Sequence, residues 1–364
     1  MARYRTIRDL DWPLVAIALA ICGVGVLQIY SATHGTIWHD AWWKQIIYVT
    51  AGLIGMWLMT RVDYHTLLGQ VPLLYGITLA ALLAVLLIGV TVFGSRRWIP
   101  MPGGFHFQVS EFAKLVLVLL IARYMTELKG ERVEALDLLK LGGLVGVPML
   151  LVMKQPDLGT ALSYLPILAA GVLLAGVRWQ YLAAVVVLFA LVMPLGWRYV
   201  LKDYQRDRLL TFVDPGRDPR GSGYQVIQSQ IAVGSGGMWG KGVTRGYQTQ
   251  LRFLPVPHTD FIFSAFSEEH GFVGVVVALG LYFLLLMQIV QNAQTAPDRA
   301  GMYICMGVGA LLMFHVLVNV GMVVGRMPVT GIPLPLMSSG GSNTLSMFLM
   351  LGLVNNVRFR RFVN

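Results

Sequence analysis

The sequence predicts an all-α polytopic membrane protein with about ten transmembrane helices and one long extracytoplasmic loop between helices seven and eight. Three observations predict it. Of 364 residues, 56% are hydrophobic and only 13% charged, about half the charge of a soluble domain, and the mean hydropathy is +0.66. The apolar runs are continuous and about twenty residues long, the length an α-helix needs to cross a bilayer, whereas barrel strands alternate over about ten. Forty Gly and 16 Pro are spread through these runs, as packed and interrupted transmembrane helices tolerate and soluble helices do not.

Taken in order, candidate spans lie at about 12–32, 42–60, 71–93, 112–128, 138–153, 159–175, 179–200, 262–291, 300–325 and 338–356, each near the bilayer requirement. The first is too long for a signal-peptide core and has no clear cleavage site, so it reads as an uncleaved span. Ten spans put both termini on one side. Arg3, Arg5 and Arg8, then Arg123, Lys129, Arg132 and Lys140, then Arg358, Arg360 and Arg361 all fall on that side, which makes it cytoplasmic. The chain reads as one membrane domain, 1–364, with the outside segment 201–261 as a large loop within it. An insertion of that length is the functional suspect. Inside it, Tyr224–Val233 carries Val226, Ile227 and Ile231 at helical spacing, as an amphipathic helix at the outer membrane interface would.

The net charge of +10 and pI of about 9.7 point to anionic lipid as a partner, not nucleic acid. Cys22 and Cys305 lie inside apolar runs and form no disulfide framework. Neither a His/Cys metal spacing nor a Walker A loop is present, and Gly-rich stretches such as Gly234–Gly237 fall outside the cell, away from ATP. An enzyme working there must use an activated, lipid-borne donor.

Against the positive-inside rule, Arg96, Arg97, Lys114, Lys154 and Arg326 fall outside or at the outer ends of spans. Snorkelling anchors would explain any one of them; several together suit an anionic headgroup or a lipid diphosphate. Glu111 and Lys114, three apart on one helix face, form either a structural ion pair or a cavity-lining one. Asp157, ahead of Gly159 and Thr160, reads as a helix N-cap or as part of a site. Asp260 stands beside His258 where the long loop re-enters the membrane, on the face where the cations collect, an arrangement suited to base-assisted transfer from a phosphate leaving group. Glu268 and Glu269, with His270, read as supporting polar residues within span eight. The Pro333–Ser342 turn brings hydroxyls and backbone N–H groups, Ser338 and Gly340 among them, to a helix start that can hold an anion.

These motifs resemble the SEDS family of polytopic cell-wall polymerases. The resemblance runs over nearly the whole chain: Gly94-Ser-Arg-Arg-Trp-Ile99, Gln108-Val-Ser-Glu-Phe-Ala-Lys114, Lys154-Gln-Pro-Asp-Leu-Gly-Thr160, Asp214-Pro-Gly-Arg-Asp-Pro219, Gly223-Tyr-Gln-Val-Ile-Gln-Ser229, Gly240-Lys-Gly242, His258-Thr-Asp-Phe-Ile-Phe263 and Pro333-Leu-Pro-Leu-Met-Ser-Ser-Gly-Gly-Ser342. The Ile231–Gly237 and Gly240–Gly242 pattern is closer to the family's rod-shape branch than to its division branch. Departures are Val109, Val256 or Pro257, and Ser339, where the family usually has Pro, an acid and Tyr.

The resemblance implies the SEDS fold in the bacterial cytoplasmic (inner) membrane and a peptidoglycan glycosyltransferase that polymerises lipid II on its outer face, extending an undecaprenyl-linked glycan chain. It implies that Asp260 is the essential aspartate, that Arg97 and Trp98 sit in an important outside loop, and that Glu111 and Lys114 are the polar pair of span four. Asp157 and the Ser338–Gly341 turn would border the cavity. Asp260 would accept or steer the proton of the acceptor 4-hydroxyl, with inversion at the anomeric carbon, while Arg97, Lys114 and Lys154 offset charge on the leaving diphosphate. A divalent cation, Mg2+ or Mn2+, could share that task. Thr160 and His258 complete the expected contacts. The implied partners are a class B penicillin-binding protein, met through spans eight and nine and the outside loops, and the rest of the elongation machinery. The rivals are a lipid II flippase, which would also need a polar inner half and a midplane site, and a noncatalytic scaffold for a transpeptidase.

Overall fold

The computed structural model describes residues 10–92, 95–101, 105–128, 133–200, 203–219 and 221–361. Gly94, Arg3, Arg5, Arg8, Lys129 and Arg132, used above for a motif and for orientation, lie outside the described residues. Helices occupy every predicted apolar run: α1 (Trp12–Thr33), α2 (Ala41–Arg61), a short α3 (Tyr64–Gly69), α4 (Val71–Ile88), α5 (Val109–Glu127), α6 (Ala135–Lys154), α7 (Leu158–Leu162) with α8 (Tyr164–Leu174), and α9 (Trp179–Leu195). The long loop holds α10 (Asp203–Val213), α11 (Ser222–Ser235) and α12 (Tyr247–Gln250), and α13 (Ile262–Gln294), α14 (Arg299–Val323) and α15 (Gly341–Arg360) close the chain. Among the described residues five helices, α1, α4, α6, α13 and α14, are long and apolar enough to cross a membrane.

Three local outcomes differ from the sequence reading. Span three, expected to reach residue 93, stops at Ile88, because Gly89 is followed by β-formers. A small antiparallel sheet follows, β1 (Val90–Val92), β2 (Ser95–Pro100) and β3 (His106–Phe107), with Val90 opposite Trp98 and Ile99 opposite Phe107. The fold is therefore helical with one small sheet, and that sheet carries Arg97 and Trp98. Arg96 folds back to donate to the carbonyls of Gly89 (2.7 Å) and Leu86 (3.3 Å), capping α4. Arg326 is exposed.

The loop helix forms at Ser222–Ser235, but its packed face is not the Val226, Ile227, Ile231 stripe. Val226, Ser229 and Ala232 are buried while Ile231 is exposed. The Ser229 hydroxyl meets Ser264 Oγ and donates to the Val323 carbonyl, both at 2.8 Å. Small residues let α11 dock closely against α13 and α14.

Helix α13 is the third. Its 33 residues span about 50 Å at the ordinary rise, more than the roughly 30 Å hydrocarbon core. It is broken at Gly271 (φ 66°, ψ −166°), and the loop after α11 fills the break. Phe272 and Val273 N–H groups donate to the Gly237 and Met238 carbonyls (2.9 and 3.2 Å), and the Glu268 and Glu269 carbonyls accept from Lys241 and Gly242 (3.0 and 2.9 Å). A Cβ at residue 271 would lie 2.3 Å from the Gly240 nitrogen, so glycine is required by both backbone and space. Before the break, Ile262–Glu269 are buried in protein; beyond it, Phe272, Val276, Val277 and Phe283 are exposed apolar residues.

Candidate functional site

The N-terminal ends of α5, α7, α13 and α15 and the C-terminal ends of α6 and α14 meet around Asp260. Two side chains brace its backbone. Asn319 on α14 donates to the Asp260 carbonyl (3.0 Å) and to Ile332 O (2.8 Å). Ser338 Oγ donates to Thr259 O (2.8 Å) and accepts from Leu334 N–H (2.9 Å). Ser338, expected to contact substrate, acts here as a strut, its proton committed to Thr259 O.

The Asp260 carboxyl faces Gly331, where a Cβ would stand 3.5 Å from Oδ2. Enclosure by protein raises its pKa, opposed by the guanidinium groups of Arg97 and Arg208, assisted by the Asp157 charge and opposed again by a Thr259 hydrogen bond. His258 packs on Trp38 with ring centres 5.8 Å apart, and burial pushes its pKa down to about 4. His258 is therefore a neutral neighbour at pH 7.

Asp157 is the N-cap of α7 and also gathers polar side chains. Oδ1 caps α7 by accepting from Thr160 N–H (3.1 Å), while Oδ2 takes Thr160 Oγ1 (2.9 Å), Gln108 Nε2 (2.8 Å) and Arg97 Nη1 (3.1 Å). Thr160, expected at the substrate, here gives both its N–H and its hydroxyl to Asp157. Arg97 also lies over the Trp98 ring at 5.5 Å. Gly159 brings this cluster against the Asp260 side: a Cβ there would lie 2.6 Å from Thr330 O, one residue from Gly331.

Below them Lys114 Nζ donates to Glu111 Oε1 (2.8 Å) and approaches His315 Nε2 (3.3 Å), all three buried. Ser346 Oγ reaches Glu111 Oε2 at 3.5 Å. Lys154, by contrast, is exposed at the end of α6 and no ion pair brings it to this group, because the helix ends with its side chain turned outward. Glu268 and Glu269 are structural. Glu268 accepts from Gln248 N–H (2.7 Å), Thr249 N–H (3.1 Å) and Thr249 Oγ1 (2.9 Å), and Glu269 from Ser31 Oγ (2.6 Å) and Gln28 Nε2 (3.2 Å). His270 joins neither and stacks on Phe266.

The turn before α15 is more occupied than its sequence implies. Ser339 N–H donates to His258 O (2.9 Å) and Gly340 N–H to Gln45 Oε1 (3.2 Å). Among the described residues no group of three or more His, Cys, Asp or Glu could hold a metal ion. The Asp157 oxygens are spent on Arg97, Gln108 and Thr160, which leaves Asp260 as the carboxylate that would hold Mg2+ or Mn2+, the other ligands then coming from substrate phosphate oxygens and water.

Charge in an apolar chain is conspicuous, and it located Arg97, Glu111, Lys114, Asp157 and Asp260. Gln108, Asn319 and His315 were missed because isolated polar residues leave no periodic signal; Arg208 was hidden among the charges of α10.

The family of cell cycle proteins that includes FtsW, RodA and SpoVE matches residues 12–361. This chain belongs to it. It is 38% identical to the peptidoglycan glycosyltransferase MrdB of Escherichia coli K12 over 97% of this chain and 94% of that one. It is 33% identical to the peptidoglycan glycosyltransferase RodA of Treponema pallidum, over 99% of this chain and all of the relative. FtsW proteins match too, for example that of a Geobacter species at 35% identity over 98% of each chain. Among solved structures, a chain of a peptidoglycan synthase complex that coordinates polymerization and crosslinking superposes with a TM-score of 0.84 at 36% identity, covering 98% of this chain and 99% of the other. Thermus thermophilus RodA gives 0.72 at 31% identity, with 98% of each chain covered.

Proposed function

We propose that this protein is a peptidoglycan glycosyltransferase of the rod-shape branch, polymerising lipid II into glycan strands at the outer face of the cytoplasmic membrane. Membership of the family and the names of its relatives support the activity. The reading places ten spans in the membrane, both termini in the cytoplasm and Asp260 outside, with α10 to α12 lying above the bilayer.

The observation that carries the mechanism is Asp260: a carboxylate whose proton affinity is raised by enclosure, held by its backbone and flanked by Arg97. A weak base becomes a better one as its pKa approaches the working pH. Asp260 takes the proton of the acceptor 4-hydroxyl as that oxygen attacks the anomeric carbon of the lipid-linked donor. The bond to the diphosphate breaks on the opposite face, so an α-linked donor yields a β-1,4 product. Arg97 and Lys114 stabilise charge on the departing undecaprenyl diphosphate.

The partner in this reading is a class B penicillin-binding protein; a structural neighbour from a complex coupling polymerization with crosslinking supports it. The test is polymerisation of lipid II by the purified protein with that transpeptidase, read as glycan ladders on a gel. Ladders from wild type and none from Asp260→Asn are expected. Equal ladders would remove Asp260 from the chemistry, and none from either folded protein would move the assignment to a flippase or scaffold.

A further inference from the structure

One buried side chain at the site has no protein partner at all. Asn343, in the first turn of α15, is 5% exposed, and neither its Oδ1 nor its Nδ2 finds a hydrogen bond within the protein. An amide buried in that state is costly and calls for an explanation. Its neighbours are spoken for: Ser342 Oγ accepts from Gln108 N–H and donates to His106 O, and Gln45 holds Gly340 N–H and Thr344 Oγ1.

The turn beside Asn343 also has room for a further group at Gly340. Gly340 has φ 167°, an extended backbone that any residue adopts, so its conformation does not demand glycine. Among the described residues, the one contact a Cβ there would meet within 4 Å is the Asn343 Cβ, at 3.8 Å. The missing side chain thus leaves free space against the stem of Asn343, whose amide is itself closed to solvent, at the N-terminus of a 20-residue helix. The first-turn N–H groups of such a helix have no intrahelical acceptor and favour negative charge.

This turn lies between the two halves of the site. Three residues along α15, Ser346 Oγ reaches Glu111, the partner of Lys114. On the other side Ser339 N–H is tied to His258 O, two residues before Asp260. Backbone donors, an amide donor and the nearby cations Lys114 and Arg97 match an anion with several acceptor oxygens. We propose that Asn343 and the open turn at Gly340 form the subsite for the diphosphate of the lipid substrate. This rests on the glycosyltransferase reading above. The same chemistry is presented by the sugar-bearing donor and by the polyprenyl diphosphate released from it.

The test uses the purified full chain in detergent and two probes, lipid II and sugar-free undecaprenyl diphosphate, with binding followed by fluorescence and stability by thermal melting. Asn343→Leu keeps the shape and removes the polar atoms; it should melt at or above wild type, since an unsatisfied buried amide is lost. It should bind both probes roughly ten- to a hundredfold more weakly. Gly340→Ala fills the space at the turn without backbone strain, should fold normally, and should weaken both probes, so it carries the test if Asn343→Leu misfolds. Asp260→Asn should bind both probes as wild type does and make no polymer, separating the subsite from the chemistry. Wild-type binding of both probes by Asn343→Leu and Gly340→Ala would overturn the subsite alone. Loss of lipid II binding with intact undecaprenyl diphosphate binding would overturn the diphosphate assignment and give the amide to the sugar. A wild type that binds neither probe would overturn the subsite and the glycosyltransferase reading together.

Discussion

The two ends of the α13–α15 bundle use carboxylates in opposite ways. At the end formed by the start of α1 and the close of α13 and α15, Asp11 is fully buried and saturated. It accepts from Leu14 N–H (3.3 Å), from Gln288 Nε2 (2.9 Å) and Asn292 Nδ2 (2.6 Å), and pairs with Arg358 (3.0 Å). Beside it Asp298 takes Tyr64 OH (2.9 Å) and His65 Nε2 (2.6 Å), and Asp63 takes Arg360 (2.6 Å). At the other end Asp260 is held mainly through its backbone, and Arg97 Nε, Asn319 Oδ1, Thr330 Oγ1 and both Asn343 atoms are buried without a protein partner, where the Asp11 group has such an atom in Asn355 Nδ2. Saturated polar groups hold helices together; unsatisfied ones mark where something other than protein completes the structure.

The contrast can be broken most severely at Asp260. Asp260→Asn should lower the polymerisation rate by roughly 10²- to 10⁴-fold, the usual worth of a general base, without lowering the melting temperature. The sign follows from its raised pKa. The folded state holds the proton more tightly than the unfolded one, so its contribution is most favourable below the unfolded pKa and is lost as pH rises through the folded value. Asn removes that cost at neutral pH. By the same shift, the wild-type rate should fall on acidification at a pH above the ordinary carboxylate value of about 4, measured as an initial-rate profile.

Asp11→Ala should do the reverse. It strands Gln288, Asn292 and Arg358 and should cost roughly 2–4 kcal/mol, less than a wholly buried pair because Arg358 reaches water. Thermal melting in detergent should show the loss, while folded protein keeps its rate. Glu111→Gln and Lys114→Met, singly and together, should show a coupling of about 1–3 kcal/mol in a double-mutant cycle. Near-additive effects on melting would remove the pair from the shared framework. Ser338→Ala should cost about 1 kcal/mol and lower the rate only a few-fold, since the Asn319 brace remains.

Much of this was legible in the sequence because charge is rare in the chain. The helices followed from continuous apolar runs, and Asp260, Arg97, Asp157 and the Glu111–Lys114 pair followed from being costly where they stand. What stayed hidden depends on long-range pairing. Ser338 and Thr160 read as free hydroxyls until their acceptors, residues 259 and 157, were in place. The strands are two to six residues long, too short for a periodic signal, and the break in α13 rests on one glycine in an otherwise helical pattern. Asn343 carried no mark in sequence, since what matters there is the absence of a neighbour.

The filled break in α13 has a mechanical consequence. A single continuous rod would carry each tilt or thickness fluctuation of the bilayer to the residue at its tip, and that tip is where Asp260 sits. Here the loop behind α11 makes two backbone hydrogen bonds to Glu268 and Glu269 just before the joint and two to Phe272 and Val273 just after it, and the lipid-facing stretch runs on from there. Both sides of Gly271 are thus anchored in protein, and the reacting end of the helix keeps time with the protein instead of with the lipid.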